Sequence, residues 1–188
     1  MTIGVIGAMQ MEVDNLKEAL SDTKTVTYSG VEFVCGKLDG KDIVAAKCGV
    51  GKVFAAICAQ TMILKFNVDM LVNIGVAGTL TRDLEVLDVA LAGKVLQHDI
   101  DTSPLGDPVG LISGINTIFI PTDEHMNEVM AACLKEKGIK FKKGAIATGD
   151  QFIAKDEQRD FIREHFDAIA AEMEGGSIGH VCYVNDVP

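Results

Sequence analysis

The chain has 188 residues, of which 48% are hydrophobic and 23% charged, and this balance excludes a disordered or fibrous protein. The length fits one domain of ordinary size, so residues 1–188 are predicted to form a single domain. The formal net charge of −10 opposes non-specific binding to nucleic acid or to an anionic membrane. Without a secretory signal or an apolar run of about 18 residues, we expect a cytoplasmic protein with no membrane partner.

The N-terminal half alternates strand and helix patterns. Residues 2–8 are a short β-branched run that predicts a strand, and residues 11–22 have the apolar spacing of a helix. Residues 28–49 contain two β-rich runs around an Asp-Gly hairpin signal, which predicts a meander of two or three strands. A helix is predicted over 51–66. Residues 68–78 follow as a strand that is apolar on both faces, as in the middle of a covered sheet.

The C-terminal half continues the alternation. A strand region at 86–101 leads into a loop at 102–116 that is rich in proline and glycine, and loops of this length usually bind ligands or act as lids. The remaining predicted elements are a helix over 123–138, a strand over 140–150, a helix over 156–166, a strand over 168–172 and a helix over 175–185. The alternation predicts an α/β fold, and the early hairpin favours a mixed sheet.

Cysteine usage gives no sign of a metal site or a disulfide framework. The five cysteines are odd in number and scattered, without a CxxC pair or a Cys/His cluster at zinc spacing. We expect them to be reduced and mostly buried. The segment "HDID" at 98–101 also suggests a metal, but no other ligand stands at a suitable spacing, so solvated polarity at a strand end is the favoured interpretation.

Three short stretches place polar or flexible residues where predicted strands end, which is where ligands bind in open α/β sheets. "GAMQMEV" presents Met9 and Glu12 at the start of a helix, although the helix dipole favours a carboxylate there without any chemistry. "CGVGKVFAA" resembles a phosphate loop but fails both the Walker A and the dinucleotide patterns. "NIGVAGTL" is either a ligand-contacting turn or a plain exit from a strand. The glycines of "CGVGKVFAA" are best explained by turn geometry or by close approach of the backbone to a ligand.

The stretch "AEMEGG" is the strongest candidate for a functional site. Glu172 and Glu174 would point to one face if the strand continued through both, and would diverge if it ended at Met173. Carboxylates after a small apolar run are costly to bury unless each has a hydrogen-bonding task. A functional role is therefore favoured over a structural one.

Five stretches taken together resemble one known family. "IGVIGAMQMEV", "CGVGKVFAA", "NIGVAGTL", "TGDQFI" and "AAEMEGGSIGHVC" are similar, in this order, to the bacterial 5′-methylthioadenosine/S-adenosylhomocysteine nucleosidases of the nucleoside phosphorylase superfamily. The resemblance implies a three-layer α/β/α fold around a central mixed sheet and a homodimer. It also implies hydrolysis of the N-glycosidic bond of an adenine thionucleoside to adenine and a thioribose, with no cofactor and no metal.

The resemblance also implies roles for particular residues. Glu12 is similar to the carboxylate that activates the attacking water, and Glu174 to the one that grips the ribose hydroxyls; oxocarbenium-like chemistry needs such groups. Leu105 resembles a lid residue donated across the dimer, where an apolar cover would exclude water. The other implied substrate-binding residues are Met9, Val50, Ala77, Gly78, Phe152, Ile153, Glu172 and Met173.

The sequence departs from the family pattern in two places. Val76 stands where the family has serine, and no residue matches the family's general-acid aspartate, which lies in an "SD" motif on a later strand. We therefore expect the C-terminal strand and helix of the family to be missing. Two alternatives remain: a phosphorylase or hydrolase of another nucleoside such as futalosine, and a nucleoside-binding module with impaired catalysis.

Overall fold

The computed structural model describes residues 1–188 and divides into two compact units. Unit 1 comprises Met1–Val76 together with His180–Pro188, and unit 2 comprises Ala77–Gly179. Each unit contains one five-stranded sheet with helices, so the α/β class is confirmed. None of the helices is both long and apolar enough to cross a membrane.

Unit 1 is built on a mixed sheet whose strand order is β2-β3-β4-β1-β5. Its elements are β1 (Thr2–Gly7), α1 (Gln10–Ala19), β2 (Ser21–Tyr28), β3 (Val31–Leu38), β4 (Lys41–Lys47), α2 (Lys52–Phe66) and β5 (Met70–Asn73). Strand β1 pairs in parallel with β4 and β5, while β2, β3 and β4 form an antiparallel meander. The Asp-Gly signal predicted the hairpin of β3 and β4, whereas β2 lies almost wholly before the predicted range 28–49. The carboxyl ends of β1, β4 and β5 therefore meet at one edge of the sheet.

Close packing explains the small residues of β1. A Cβ atom on Gly4 would lie 2.4 Å from Leu71 Cδ2, so only glycine lets β5 and its side chains approach. Val5 belongs to a buried cluster with Leu20 and Ile43. This core fixes β1 in the sheet and directs its last residues toward the start of α1.

Two sequence predictions for unit 1 were wrong in detail. The strand expected in the middle of a sheet, β5, stands at one end of the strand order, where the Leu71 N–H donates to the Pro188 carbonyl at 2.8 Å. Apolar residues on both faces of a strand indicate that other elements pack against both faces of the sheet. They do not reveal how many strands lie on either side of that strand. The first helix was predicted over 11–22, but it ends at Ala19, and β2 already begins at Ser21.

Unit 2 contains a second mixed sheet with the order β6-β10-β9-β7-β8. Its elements are β6 (Gly78–Thr79), β7 (Val89–Gln97), a 3-10 helix (Ser103–Leu105), β8 (Ile120–Pro121), α3 (Glu124–Glu136), β9 (Phe141–Thr148), α4 (Asp156–Phe166), β10 (Ala168–Glu172) and α5 (Gly175–Val184), whose residues from His180 onward belong to unit 1. Strands β7, β9 and β10 are parallel neighbours. Their carboxyl ends, Gln97, Thr148 and Glu172, lie side by side.

The core of unit 2 is made from both faces of this sheet. Leu96, Ala147 and Ala171 from three neighbouring strands pack with Ile162 and Phe166 of α4. The alanines of β9 and β10 are almost fully buried, which allows α4 to approach the sheet closely. The packing fixes the three strand ends that carry polar residues.

Candidate active site

In unit 1, the carboxylate of Glu12 is held by two backbone donors. Met9 occupies the N-cap position of α1, and its N–H donates to Glu12 Oε2 at 2.8 Å. The Val76 N–H, just beyond β5, donates to Glu12 Oε1 at 3.1 Å. Each oxygen therefore has a fixed partner, and the first turn of α1 adds a favourable dipole. Glu12 is half-buried and oriented before any substrate arrives.

Glycines leave the space that this carboxylate occupies. A Cβ atom on Gly75 would lie 3.0 Å from Glu12 Oε1, and one on Gly7 would lie 3.0 Å from the Glu12 Cβ. A side chain at position 7 or 75 would therefore crowd the Glu12 side chain, which explains why both residues are glycine.

The turn after β4 runs beside the end of β1. The Cys48 N–H donates to the Gly7 carbonyl at 2.9 Å and the Gly49 N–H to the Ala8 carbonyl at 3.2 Å. Gly49 and Gly51 have φ values of 95° and 101°, a region that favours glycine. Val50 lies between them with its side chain half exposed. Met9, Glu12 and Val50 therefore stand at adjacent strand ends of unit 1.

In unit 2, Glu172 is the last residue of β10 and pairs in register with Thr148 at the end of β9. Its Oε1 is hydrogen-bonded to the Thr148 hydroxyl. Its Oε2 accepts the N–H groups of Glu174 at 2.8 Å and Gly175 at 2.6 Å. Because β10 ends at Glu172, the two glutamates do not share a strand face, and Glu172 caps the beginning of α5.

Glu174 lies directly before α5 with only 8% of its surface exposed. Its carbonyl accepts the first bonds of the helix, from Ser177 at 2.9 Å and Ile178 at 3.0 Å. Met173, between the two acids, is half-buried. Glu174 is thus a buried acidic residue, and a buried carboxylate is costly unless it has a hydrogen-bonding task.

The other predicted substrate-binding residues of unit 2 are distributed around this strand end. Gly78 pairs with Ala171 of β10, which brings Ala77 and Gly78 next to the strand that ends in Glu172. Ile153 packs against the buried cluster of α4. Phe152 and Leu105 are 85% and 84% exposed, so two large apolar side chains project into solvent.

Sequence reasoning missed Thr148, His98 and Asp99 as parts of this arrangement. Thr148 is fully buried and its hydroxyl also accepts the Gly176 N–H at 2.6 Å. A Cβ on Gly149 would lie 2.3 Å from His98 Nε2, and Asp99 Oδ2 accepts the Asp150 N–H at 2.9 Å. "HDID" therefore ties the end of β7 to the end of β9. The sequence signal that could have identified Thr148 is a threonine followed by a glycine, Gly149, at the end of a buried strand.

Buried thiols do not add a nucleophile. Burial raises the pKa of Cys58 to about 12 and that of Cys182 to about 11, so both thiols are protonated at neutral pH. The five cysteines are free. Cys58 and Cys182 are therefore not available as thiolate nucleophiles at neutral pH.

The class of protein follows from a match of the sequence to the phosphorylase superfamily over residues 2–188. Three relatives are informative. A 5′-methylthioadenosine/S-adenosylhomocysteine nucleosidase from Shewanella sediminis is 37% identical over 189 residues, covering 100% of this chain and 82% of the relative. An aminodeoxyfutalosine nucleosidase from Campylobacter jejuni is 39% identical over 188 residues, with the same coverage.

The third relative is a solved structure. A mutant of the Helicobacter pylori nucleosidase with 5′-methylthioadenosine in the active site superimposes with a TM-score of 0.96 at 36% identity, covering 100% of this chain and 81% of that one. The chain belongs to the phosphorylase superfamily and, within it, to the family of 5′-methylthioadenosine/S-adenosylhomocysteine nucleosidases and related aminodeoxyfutalosine nucleosidases. The nucleoside phosphorylase-like α/β fold expected from the sequence is confirmed.

Proposed function

We propose that the protein hydrolyses the N-glycosidic bond of 5′-methylthioadenosine and S-adenosylhomocysteine, releasing adenine and a thioribose. The observation that carries the proposal is the Glu12 carboxylate, oriented by the Met9 and Val76 N–H groups in a chain aligned along its whole length with nucleosidases. A general base must be fixed within reach of its water, and two backbone bonds supply that orientation.

The two glutamates have different tasks in this proposal. Glu12 accepts a proton from the attacking water, while Glu174 binds the ribose hydroxyls and stabilises the positive charge that develops on the sugar. As the N-glycosidic bond breaks, the leaving adenine takes a proton from solvent, because no residue of this chain matches the family's general-acid aspartate. The difference in environment agrees with this division. Glu12 is half-buried and can meet water, whereas Glu174 is almost fully buried at the beginning of α5.

The resemblance to the nucleosidases supports an assignment of individual substrate contacts. Phe152 stacks on adenine and the backbone of Ile153 reads its edge, and the exposure of the Phe152 ring leaves its face available. The remaining substrate-binding residues are Met9, Val50, Ala77, Gly78, Leu105 and Met173. Glu172, which the resemblance also assigns to substrate binding, has its carboxylate hydrogen-bonded to Thr148, Glu174 and Gly175. The reaction as proposed uses no cofactor and no metal.

The protein is proposed to be a cytoplasmic homodimer. The five free cysteines agree with a reducing compartment. Helix α2 has an apolar face that the single chain leaves open, with Val53 69%, Phe54 53% and Leu64 65% exposed. Exposed apolar residues in this number mark an interaction surface. Leu105 is the residue assigned to cover the alkylthio group of the partner's substrate.

The test of the proposed reaction is adenine release from 5′-methylthioadenosine by the 188-residue chain, compared with its Glu12→Gln variant. We expect release that does not depend on phosphate and that falls by about 10²–10⁴-fold in the variant, the usual contribution of a general base. Calorimetric binding of 5′-methylthioadenosine is measured alongside. Binding without release would favour the nucleoside-binding module, and dependence on phosphate would favour a phosphorylase. The absence of both binding and release would overturn the proposal.

A second substrate deserves the same assay because one relative of comparable identity is an aminodeoxyfutalosine nucleosidase. Aminodeoxyfutalosine and 5′-methylthioadenosine are compared by kcat/KM under identical conditions. A ratio above about tenfold in favour of aminodeoxyfutalosine would assign that nucleoside as the preferred substrate.

A further inference from the structure

The carboxylate of Glu172 makes three hydrogen bonds within unit 2. Oε1 is bonded to the Thr148 hydroxyl, and Oε2 accepts the N–H groups of Glu174 and Gly175. The bonds come from two segments of the chain, the end of β9 and the first residues after β10. Both oxygens are therefore committed to the protein, in contrast to an acid that faces a substrate.

The direction of each bond is fixed by the chemistry of the groups. The Thr148 hydroxyl accepts the Gly176 N–H at 2.6 Å, so its single proton is donated to Glu172 Oε1. Thr148 has no exposed surface and cannot touch a substrate. The Glu172 carboxylate thus accepts the N–H groups of Glu174 and Gly175, and the Thr148 hydroxyl accepts that of Gly176. The carboxylate and the hydroxyl are in turn hydrogen-bonded to each other.

We propose that Glu172 is a positioning residue, which together with Thr148 fixes the beginning of α5 and thereby the side chain of Glu174. The inference rests on the proposed function, because Glu174 is the residue that it serves. The Glu174 N–H is bonded directly to Glu172, so movement of this carboxylate changes the backbone from which the Glu174 side chain extends. These bonds are partly buried and charge-assisted, and bonds of this type are strong and geometrically specific.

Glutamine and alanine at position 172 separate positioning from direct contact with the substrate. In Glu172→Gln, the amide oxygen can accept the N–H groups of Glu174 and Gly175, so the two bonds that fix the beginning of α5 survive. The NH₂ then faces the Thr148 hydroxyl, whose proton loses its acceptor. We expect kcat/KM of this variant to fall by no more than about tenfold. Glu172→Ala removes every bond and is expected to lower kcat/KM by about 10²-fold, the cost of misplacing a substrate-binding group by about 1 Å.

A cycle with Glu174 tests whether Glu172 acts through it. If Glu172 works by placing Glu174, the alanine substitution at 172 costs less than about threefold when Glu174→Ala is already present. An undiminished loss in that background, or an equal loss in Glu172→Gln and Glu172→Ala, would overturn the inference, because either result indicates direct contact with the substrate.

Thr148→Val tests the positioning role at a residue that has no exposed surface and cannot contact the substrate. We expect it to lower kcat/KM by about tenfold or more, because Glu172 loses its donor and Gly176 its acceptor. Thr122→Val is the matched control, since the Thr122 hydroxyl also joins two protein groups of unit 2, the Ala92 carbonyl and the Asn127 amide. The control is expected to lose stability and to keep its kcat/KM. Equal kinetics for both valine variants would contradict the inference.

Amide hydrogen exchange tests the positioning without any turnover. We expect the Glu174 and Gly175 amides to exchange at least about tenfold faster in Glu172→Ala than in Glu172→Gln, and the Gly176 amide to do so in Thr148→Val. Unchanged protection would overturn the inference even for a chain that releases adenine. Conversely, a chain without nucleosidase activity that shows these changes refutes the proposed reaction and leaves the positioning intact.

Discussion

Leu87 is the residue whose backbone conformation agrees least with its type. It occupies the third position of a turn from Glu85 to Asp88, closed by the Asp88 N–H and the Glu85 carbonyl at 3.1 Å, and its φ is 79°. This position favours glycine, and a non-glycine residue there costs about 1–2 kcal/mol. The Leu87 side chain is 93% exposed, so burial does not compensate.

Replacement of Leu87 therefore gives a prediction about stability. Leu87→Gly should unfold at a higher urea midpoint than Leu87→Ala, by about 1 kcal/mol in the free energy of unfolding, because both lose the side chain but only glycine relieves the strain. The alanine variant should differ little from the unmodified chain. Equal stability of the two variants would show that the turn is not strained.

The acidic pair of "AEMEGG" shows what residue spacing can and cannot reveal. The sequence predicted a functional role for Glu172 and Glu174, and this remains a prediction, with which the burial of Glu174 agrees. Spacing did not reveal that Glu172 is bonded to Thr148, because that partner lies 24 residues earlier in the chain. A contact between neighbouring parallel strands becomes visible only when the strand register is known.

At the scale of elements, the beginning of α3 is set by one side chain. Asp123 is the N-cap residue, and its carboxylate accepts the Met126 N–H at 2.8 Å. The sequence predicted this helix with Asp123 or Thr122 as its start signal, and Asp123 is the residue that caps it. The N-caps of α1, α2 and α4 lack a side-chain cap of this kind, so α3 is the helix in which capping can be measured.

Asp123→Ala is expected to lower the free energy of unfolding by about 1 kcal/mol, because the Met126 N–H loses its acceptor. Asp123→Ser should retain most of that free energy, since the serine hydroxyl can accept the same bond. Glu128→Ala, at an exposed interior position of α3, is the control and should be close to neutral. A loss in Asp123→Ser equal to that in Asp123→Ala would mean that the hydrogen bond is not the cause.

The strands show where sequence patterns are sufficient and where they fail. The order of the helices and of the longer strands follows from apolar periodicity and from the turn residues between them. Strands β6 and β8 were not predicted, because two residues such as Gly78 and Thr79 carry no periodicity. The end position of β5 was missed for a related reason, since the neighbours of a strand are set by tertiary pairing.

At the scale of the whole molecule, both units place their candidate residues by the same rule. The carboxyl ends of the parallel strands carry Glu12 after β1 and Val50 after β4 in unit 1, and Asp99 after β7 and Glu174 after β10 in unit 2. Open α/β sheets bind ligands beyond such ends. The sequence could predict this location, because it requires only strand order along the chain.

The proposed homodimer gives a prediction about the open face of α2. Its buried stripe consists of small or flexible residues such as Ala55, Cys58 and Met62, whereas Val53 and Leu64 point away from the core and are largely exposed. An apolar face that is buried between two copies loses its contacts when a charge is introduced, because an unpaired ammonium group is costly to desolvate. Leu64→Lys should therefore shift the mass measured by light scattering from that of a dimer to that of a monomer at micromolar concentration.

Val129→Lys on α3 is the matched control, with 52% exposure and the same change in charge, and should remain dimeric. A dimeric Leu64→Lys variant would place the interface elsewhere, and a monomeric unmodified chain would refute the homodimer.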